Sequence, residues 1–279
     1  MYGFVSFTAS LLFGTSLLLD AAIKGAHYKK ERAFRTMNII AWMLICVYAY
    51  VEASQYASEG EEFDAIMSIF FVLFGVFTCF LFVFRWSDGA RHTFLTLTRV
   101  AFIASVVYFT FAEIPFMNNL IIYGTASLTS RVLNFITYTY TEYPANIYTQ
   151  GDFHKSYGPV TIILACTAIQ SMALFAGLTL GVSAHIKRRI IAFLISVPVI
   201  YVLNILRNVF VCAAYFENWF KSLGCTPIES FDIAHDYIAR SLTLLSLFII
   251  AYAVFMILPE ALSFVDDFLK IIRRGQSPR

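Results

Sequence analysis

The chain has 279 residues, 59% hydrophobic, 17% aromatic and only 14% charged. A soluble domain carries about 25% charged residues, so this composition describes an integral membrane protein. The net charge of +2 is too small to draw a nucleic acid, and five cysteines at scattered positions fit neither a disulfide framework nor a zinc site.

Seven apolar stretches approach the roughly 20 residues needed to span a bilayer. They fall at about 3–23, 38–57, 65–85, 94–116, 159–181, 190–212 and 239–259. All are predicted as helices, because an isolated strand cannot satisfy its backbone in lipid. The first lacks a positive leader and reads as an uncleaved helix. The expected fold is an all-α, seven-helix membrane bundle forming one catalytic domain over 1–279.

Charge orders the loops. Lys24, Lys29, Lys30, Arg32 and Arg35 follow the first stretch, and Arg85 and Arg91 follow the third. Lys187, Arg188 and Arg189 follow the fifth, and Lys270, Arg273, Arg274 and Arg279 lie in the tail. Fourteen of the twenty basic residues thus fall on one side. The alternate loops hold only Arg131, Lys155 and Lys221, and carry Glu59, Glu61, Glu62, Asp64, Glu217, Glu229, Asp232 and Asp236. The positive-inside rule then predicts the N-terminus outside and the C-terminus in the cytoplasm. Asp20 and Arg99, near helix ends, are expected to snorkel to the interface.

The segment 117–158 is predicted as a long external loop. Its Tyr123, Tyr138, Tyr140, Tyr143, Tyr148 and Tyr157 favour headgroup depth. It reads either as a passive interfacial element or as a lid over a substrate site. The tail at 262–279 places Phe264, Phe268 and Ile271 on one side and reads as an amphipathic cytoplasmic surface helix.

Three polar groups stand out against this background. Cys166 follows Pro159 by seven residues, about 10 Å along a helix entered from outside. Gln170 would lie one turn further on the same face. Arg207 falls in the outer half of the next helix, with Asn204 a turn before it. His235 and Asp236 stand at the mouth of the last one. A charge in a bilayer costs roughly 2.5–3.5 kcal/mol even on the gentlest scale, so such groups are kept mainly for function. A thiolate can attack a carbonyl, a guanidinium can hold the oxyanion, and an imidazole can move the proton. Each also has a plain structural reading: an apolar packer, a lipid-phosphate ligand, an interfacial ring.

The motifs ACTAIQSM…FAGL, NILRNVF forty-one residues after the cysteine, and AHDYIAR resemble the exosortase/archaeosortase family, on its archaeosortase side. The specific part covers roughly 159–240, with a weaker likeness at Leu258, Pro259 and Glu260. The resemblance implies a polytopic cysteine transpeptidase at the cell membrane, its site facing outward. Such enzymes recognise a tripartite, PGF-CTERM-like signal on secreted surface proteins: a short motif, a hydrophobic helix and a basic end. They cleave near the motif and transfer the new C-terminus to a membrane phospholipid, without metal or cofactor. It makes Cys166 the nucleophile through a thioester, Arg207 the second catalytic residue, and His235 or Arg240 the third. Five residues apart on an α-helix, His235 and Arg240 are expected about 140° apart and on different faces. His235 is preferred because it exchanges a proton near neutral pH. Gln170 and Asn204 are expected to bind substrate.

Other classes fit less well. A retinal protein needs a lysine in its last helix, and 239–259 holds none. A serine intramembrane protease lacks its GxSG motif. A polytopic transporter lined by Arg207, Glu113 and Glu52, or a lipid-binding membrane protein, remains the alternative. Cys212 and Cys225, both near the outer face, are expected as separate thiols.

Overall fold

The computed structural model describes residues 2–22, 27–60, 62–149 and 157–273. Lys24, Glu61, Lys155, Arg274 and Arg279, used above to orient the chain, lie outside the described residues. The chain is mostly helix. The elements run α1 (Tyr2–Ala22), α2 (His27–Glu59), α3 (Glu62–Phe84), α4 (Arg91–Glu113) and α5 (Pro115–Leu133). Strands β1 (Thr139–Glu142), β2 (Asn146–Thr149) and β3 (Val160–Thr161) follow. Then come α6 (Ile169–Gly181), α7 (Ile186–Phe216), α8 (Pro227–Asp232), a π-helical segment (Ile233–Ala239), α9 (Arg240–Ile257) and α10 (Pro259–Arg273).

Among the described residues, six helical stretches are long and apolar enough to cross a membrane: within α1, α2, α3, α4 and α7, and across Pro227–Ile257. The seventh expected stretch, 159–181, is not one helix. Pro159 precedes β3 rather than opening a helix, and α6 has only 13 residues. At 1.5 Å per residue α6 is about 20 Å long, short of a hydrocarbon core of about 30 Å. The exposed apolar side chains fit a lipid surround, notably Phe70, Phe71, Phe77, Phe80 and Phe84 on α3 and Phe248, Ile249, Tyr252 and Met256 on α9.

The chain divides into two units. One contains residues 1–109, 176–189 and 258–279. Its core is aromatic: Phe13, Phe34, Phe82 and Phe94 are fully or almost fully buried, with Trp42 packed edge-on to Phe13. Inside it, Asn38 is completely buried. Its amide donates to Ser16 Oγ at 3.1 Å, and its carbonyl accepts from Thr98 Oγ1 at 2.7 Å. Without water, such groups must find each other across helices. Asp20 and Arg99 each find a polar partner within the unit. Asp20 pairs with Arg91 at 2.6 Å and Lys30 at 3.6 Å, and Arg99 donates to Ser183 at 2.6 Å. Pairing offsets the cost of taking a charge out of water. α10 is amphipathic, as its sequence indicates. Its apolar side meets protein: Ile271 belongs to this core, and Phe264 and Phe268 pack on it.

The other unit contains residues 110–175 and 190–257. Here the segment expected as a long loop contains most of α5 and strands β1 and β2, which form an antiparallel sheet with β3. Tyr140 pairs with Tyr148 across β1 and β2, their rings stacked at 5.4 Å, and Ile147 pairs with Val160 on β3. Ala145 and Ile147 are buried with Leu133 of α5 and with Ile205, Val209, Cys212 and Ala213 of α7. The sheet therefore closes over the second half of α7, which is buried almost all round from Asn204 to Phe216.

Gly177 and Gly181, one turn apart on α6, let α4 approach closely. An added Cβ would stand 2.6 Å from the Val100 carbonyl oxygen at Gly177, and 2.8 Å from the Val100 nitrogen at Gly181. At Gly124 of α5 it would meet nothing within 4 Å. Gly177→Ala and Gly181→Ala are expected to destabilise the protein by about 1–3 kcal/mol through overpacking. Gly124→Ala should be neutral or slightly stabilising, since alanine is the better helix former. Thermal unfolding in detergent of the three variants checks the contrast.

Candidate active site

Cys166 does not sit within a helix. Ile163 is extended, and Leu164–Thr167 form a single 3-10 turn. The Cys166 N–H donates to the Ile163 carbonyl at 3.0 Å, and Thr167 Oγ1 donates to Leu164 O at 2.7 Å. Ala168 then adopts a left-handed conformation, φ 58° and ψ 18°, and α6 begins at Ile169. A left-handed alanine costs roughly 1–3 kcal/mol, and such residues gather where a site requires them. The bend separates Cys166 from the helix. The expected stacking of Gln170 one turn along from it does not apply, and Gln170 is exposed.

What holds this turn is α7. Asn204 and Asn208 are one helical turn apart and therefore share a face. Both donate their side-chain amides to the Cys166 carbonyl oxygen, at 2.7 Å and 3.0 Å. The carbonyl has two lone pairs, and both are used. Asn204 and Asn208 are 8% and 3% exposed, so both hydrogen bonds are shielded from water. Asn204, expected to meet substrate, thus spends its amide on the cysteine backbone.

Asn208 has a second contact. Its Oδ1 accepts from Arg207 NH1 at 3.1 Å. The guanidinium is therefore two hydrogen bonds from the Cys166 carbonyl. Cys166 and Arg207 are both half-buried, and Cys212 lies one turn beyond Asn208. Cys166 packs against the core that contains Cys212 and Tyr215. All five cysteines are thiols.

His235 is held by a different set. Asn218, at φ 46°, turns the chain at the end of α7, and its Oδ1 accepts from Ser230 Oγ at 2.7 Å. Thr226 caps α8 in a capping box with Glu229, with Pro227 in the first turn. These contacts return Phe231 to Tyr215, ring centroids 5.8 Å apart. His235 stacks on Phe231 at 5.2 Å, nearly parallel. Its Nδ1 lies 2.8 Å from Asp236 Oδ1, and Arg240 NH2 reaches the same oxygen at 3.3 Å.

His235 and Arg240 were expected on different faces. The Ile233–Ala239 segment is π-helical, with i→i+5 backbone hydrogen bonds, and Arg240 follows it as the first residue of α9. Both side chains meet Asp236, His235 as its chain neighbour and Arg240 four residues on. The structure thus forms two groups, Cys166 with Asn204, Asn208 and Arg207, and His235 with Asp236 and Arg240. Phe231, on which His235 stacks, packs against the same core as Cys166.

Sequence reasoning missed Asn208 as a holder of the cysteine, and Asp236 as the shared partner of His235 and Arg240. The signal for the first was present: two asparagines four residues apart, flanking a buried-segment arginine, in NILRN. Among the described residues, no cluster of His, Cys, Asp and Glu could hold a metal ion.

Together these features define a multi-pass helical membrane protein with a thiol fixed beside an arginine-bearing helix. The chain belongs to the exosortase/archaeosortase family. The family description Transmembrane exosortase (Exosortase_EpsH) matches residues 6–222, a stretch that includes Cys166 and Arg207 and ends before His235. The chain is 26% identical to Archaeosortase A of Natronomonas pharaonis over 287 residues, 96% of this chain and 90% of that protein. It is also 26% identical to Archaeosortase A of Haloferax volcanii over 211 residues, 66% of this chain and 69% of that protein. No solved structure gives a significant match.

The left-handed turn yields a direct check. Ala168→Gly removes the Cβ clash and should leave stability unchanged or raise it by about 1 kcal/mol. Ala168→Val, branched at Cβ, should destabilise by more than that and expose Cys166 to faster alkylation. Thermal unfolding and peptide-mapped alkylation of the two variants test the geometry.

Proposed function

We propose that this protein is a membrane cysteine transpeptidase that cleaves the C-terminal sorting signals of secreted surface proteins. It joins the new C-terminus to a membrane phospholipid. The observation that carries the reading is the anchoring of Cys166 to the face of α7 that bears Asn204 and Asn208, the latter bonded to Arg207. Family membership and the names of the two relatives support the same chemistry.

In the proposed reaction the substrate's hydrophobic tail enters sideways from the bilayer. The Cys166 thiolate attacks the scissile carbonyl carbon. Arg207 faces the oxyanion of the tetrahedral intermediate, where a positive donor gains most in a dry site. The carbon–nitrogen bond breaks, and the leaving amine takes a proton from His235. With Nδ1 engaged by Asp236, Nε2 is the nitrogen available for that transfer. A lipid headgroup nucleophile such as an amine then attacks the thioester, returns a proton to His235 and releases the thiolate. Burial slows hydrolysis by water in the interval.

Arg240 is the alternative third residue. It cannot give up a proton and would act as a charge on Asp236 or substrate. Gln170, exposed beside the cysteine turn, is assigned to substrate contact. The basic residues near Arg85, Lys187 and Lys270 support an N-terminus outside and a C-terminus in the cytoplasm. An odd number of crossings follows, with the interrupted 159–181 stretch as the fifth of seven and the site toward the outer face.

Intact-mass analysis of a candidate substrate tests the proposal. The wild-type protein should yield a shortened, lipid-bearing C-terminus, and Cys166→Ala should leave the tail full length. An unprocessed tail with both proteins defeats the reading. Arg207→Ala should lower kcat by about 10²–10³-fold, as for loss of an oxyanion donor. His235→Gln should remove the imidazole limb of the pH–rate profile, whereas Arg240→Gln should lower the rate and keep the limb. The reverse pattern would assign the third position to Arg240.

A further inference from the structure

We propose that Asn208 is the positioning residue that fixes Arg207 relative to the Cys166 thiol, its two amide ends doing different work. This deepens the transpeptidase reading and rests on it for its catalytic meaning.

Asn208 Nδ2 donates to the Cys166 carbonyl at 3.0 Å, while Asn208 Oδ1 accepts from Arg207 NH1 at 3.1 Å. A primary amide is the smallest side chain offering a donor and an acceptor on one rigid plane. Asn208 is 3% exposed, so neither contact is exchanged freely with water. Its neighbours Val209, Val211 and Cys212 are buried too, which fixes its rotamer by packing. The arginine fork is flexible on a long stem, and a substrate oxyanion needs a donor within a few tenths of an ångström. An amide tied at one end to the nucleophile's backbone and at the other to the guanidinium supplies that ruler.

Asn204 separates positioning from simple anchoring. It grips the same carbonyl oxygen at 2.7 Å, one turn away on the same helix. Any role in holding the Cys166 turn is shared by the two asparagines. In the geometry above, the contact to Arg207 belongs to Asn208.

The test uses the full-length protein in detergent and two readouts. The first is the rate of Cys166 alkylation by iodoacetamide at neutral pH, mapped by peptide mass spectrometry. The second is kcat and KM on a processed substrate. An opposite charge a few ångströms away shifts a thiol's ionisation equilibrium by about tenfold or more. Arg207→Ala should therefore slow alkylation about tenfold, and Asn208→Ala nearly as much. The double variant should be no slower than Arg207→Ala alone, because both changes remove one interaction. Asn204→Ala should change the rate far less. On substrate, Asn208→Ala should lower kcat and leave KM near the wild-type value.

Asn208→Asp keeps the shape and turns a carboxylate against the guanidinium. It should slow alkylation at least as much as alanine does, and it carries the test should the alanine variant lose its folded elution profile. Additive losses in the double variant would overturn the proposal. So would equal slowing by Asn204→Ala, or wild-type alkylation in Asn208→Asp. Alkylation reads the Cys166–Arg207 relation without any substrate, so failure of the transpeptidase reading and failure of this one give different results.

Discussion

One backbone carbonyl organises the candidate site. The oxygen of Cys166 receives two side-chain amides from successive turns of α7. In lipid a carbonyl at a broken helix end has no water to turn to, and leaving it unpaired costs several kcal/mol. The chain can interrupt its fifth apolar stretch at Cys166 because Asn204 and Asn208 complete what the interruption opens. The left-handed Ala168, the short α6 and the 3-10 turn all depend on that compensation. Non-helical backbone is tolerated in membrane proteins where protein groups satisfy it, and here Asn204 and Asn208 do so.

The same economy shapes the other half of the site. The Ile233–Ala239 segment is π-helical, an irregularity of the kind that gathers at functional sites. His235 meets Asp236 as its chain neighbour, and Arg240 meets it as an i,i+4 partner. The stack of His235 on Phe231, and of Phe231 against Tyr215, ties this segment to the end of α7. Both irregularities, the broken helix and the π-helical one, occur at the candidate site residues. The remaining spans are regular, apolar and held by aromatic packing.

Within the other unit, polar groups serve assembly. Asn38 links Ser16 and Thr98 across three helices, and Asp20 is paired with Arg91 and Lys30. The glycines of α6 contribute by absence, allowing α4 to come within backbone contact. Small residues at a helix crossing and interhelical hydrogen bonds are the usual means of association where lipid removes the hydrophobic drive. α10 adds a soluble-protein device, an amphipathic helix closing the end of the core.

Hydropathy determined the membrane class and located six spanning helices, since a long apolar run has few folds open to it in lipid. Residue type and position singled out Cys166, Arg207 and His235, because polar groups in an apolar chain are costly enough to be conspicuous, and the family resemblance added Arg240. Periodicity also marked the amphipathic α10. β1, β2 and α5 were read as loop and β3 as part of a helix, because four- and two-residue strands leave almost no periodic signal and gain stability from packing on α7. Regular α-geometry misled at Gln170 and at the His235–Arg240 pair, where the backbone departs from 3.6 residues per turn. Those departures are set by distant partners: two asparagines some forty residues from the cysteine, and a π segment anchored by Asn218 and Phe231. A sequence states which groups are available, but which carbonyl an amide reaches across space is decided only when the helices pack.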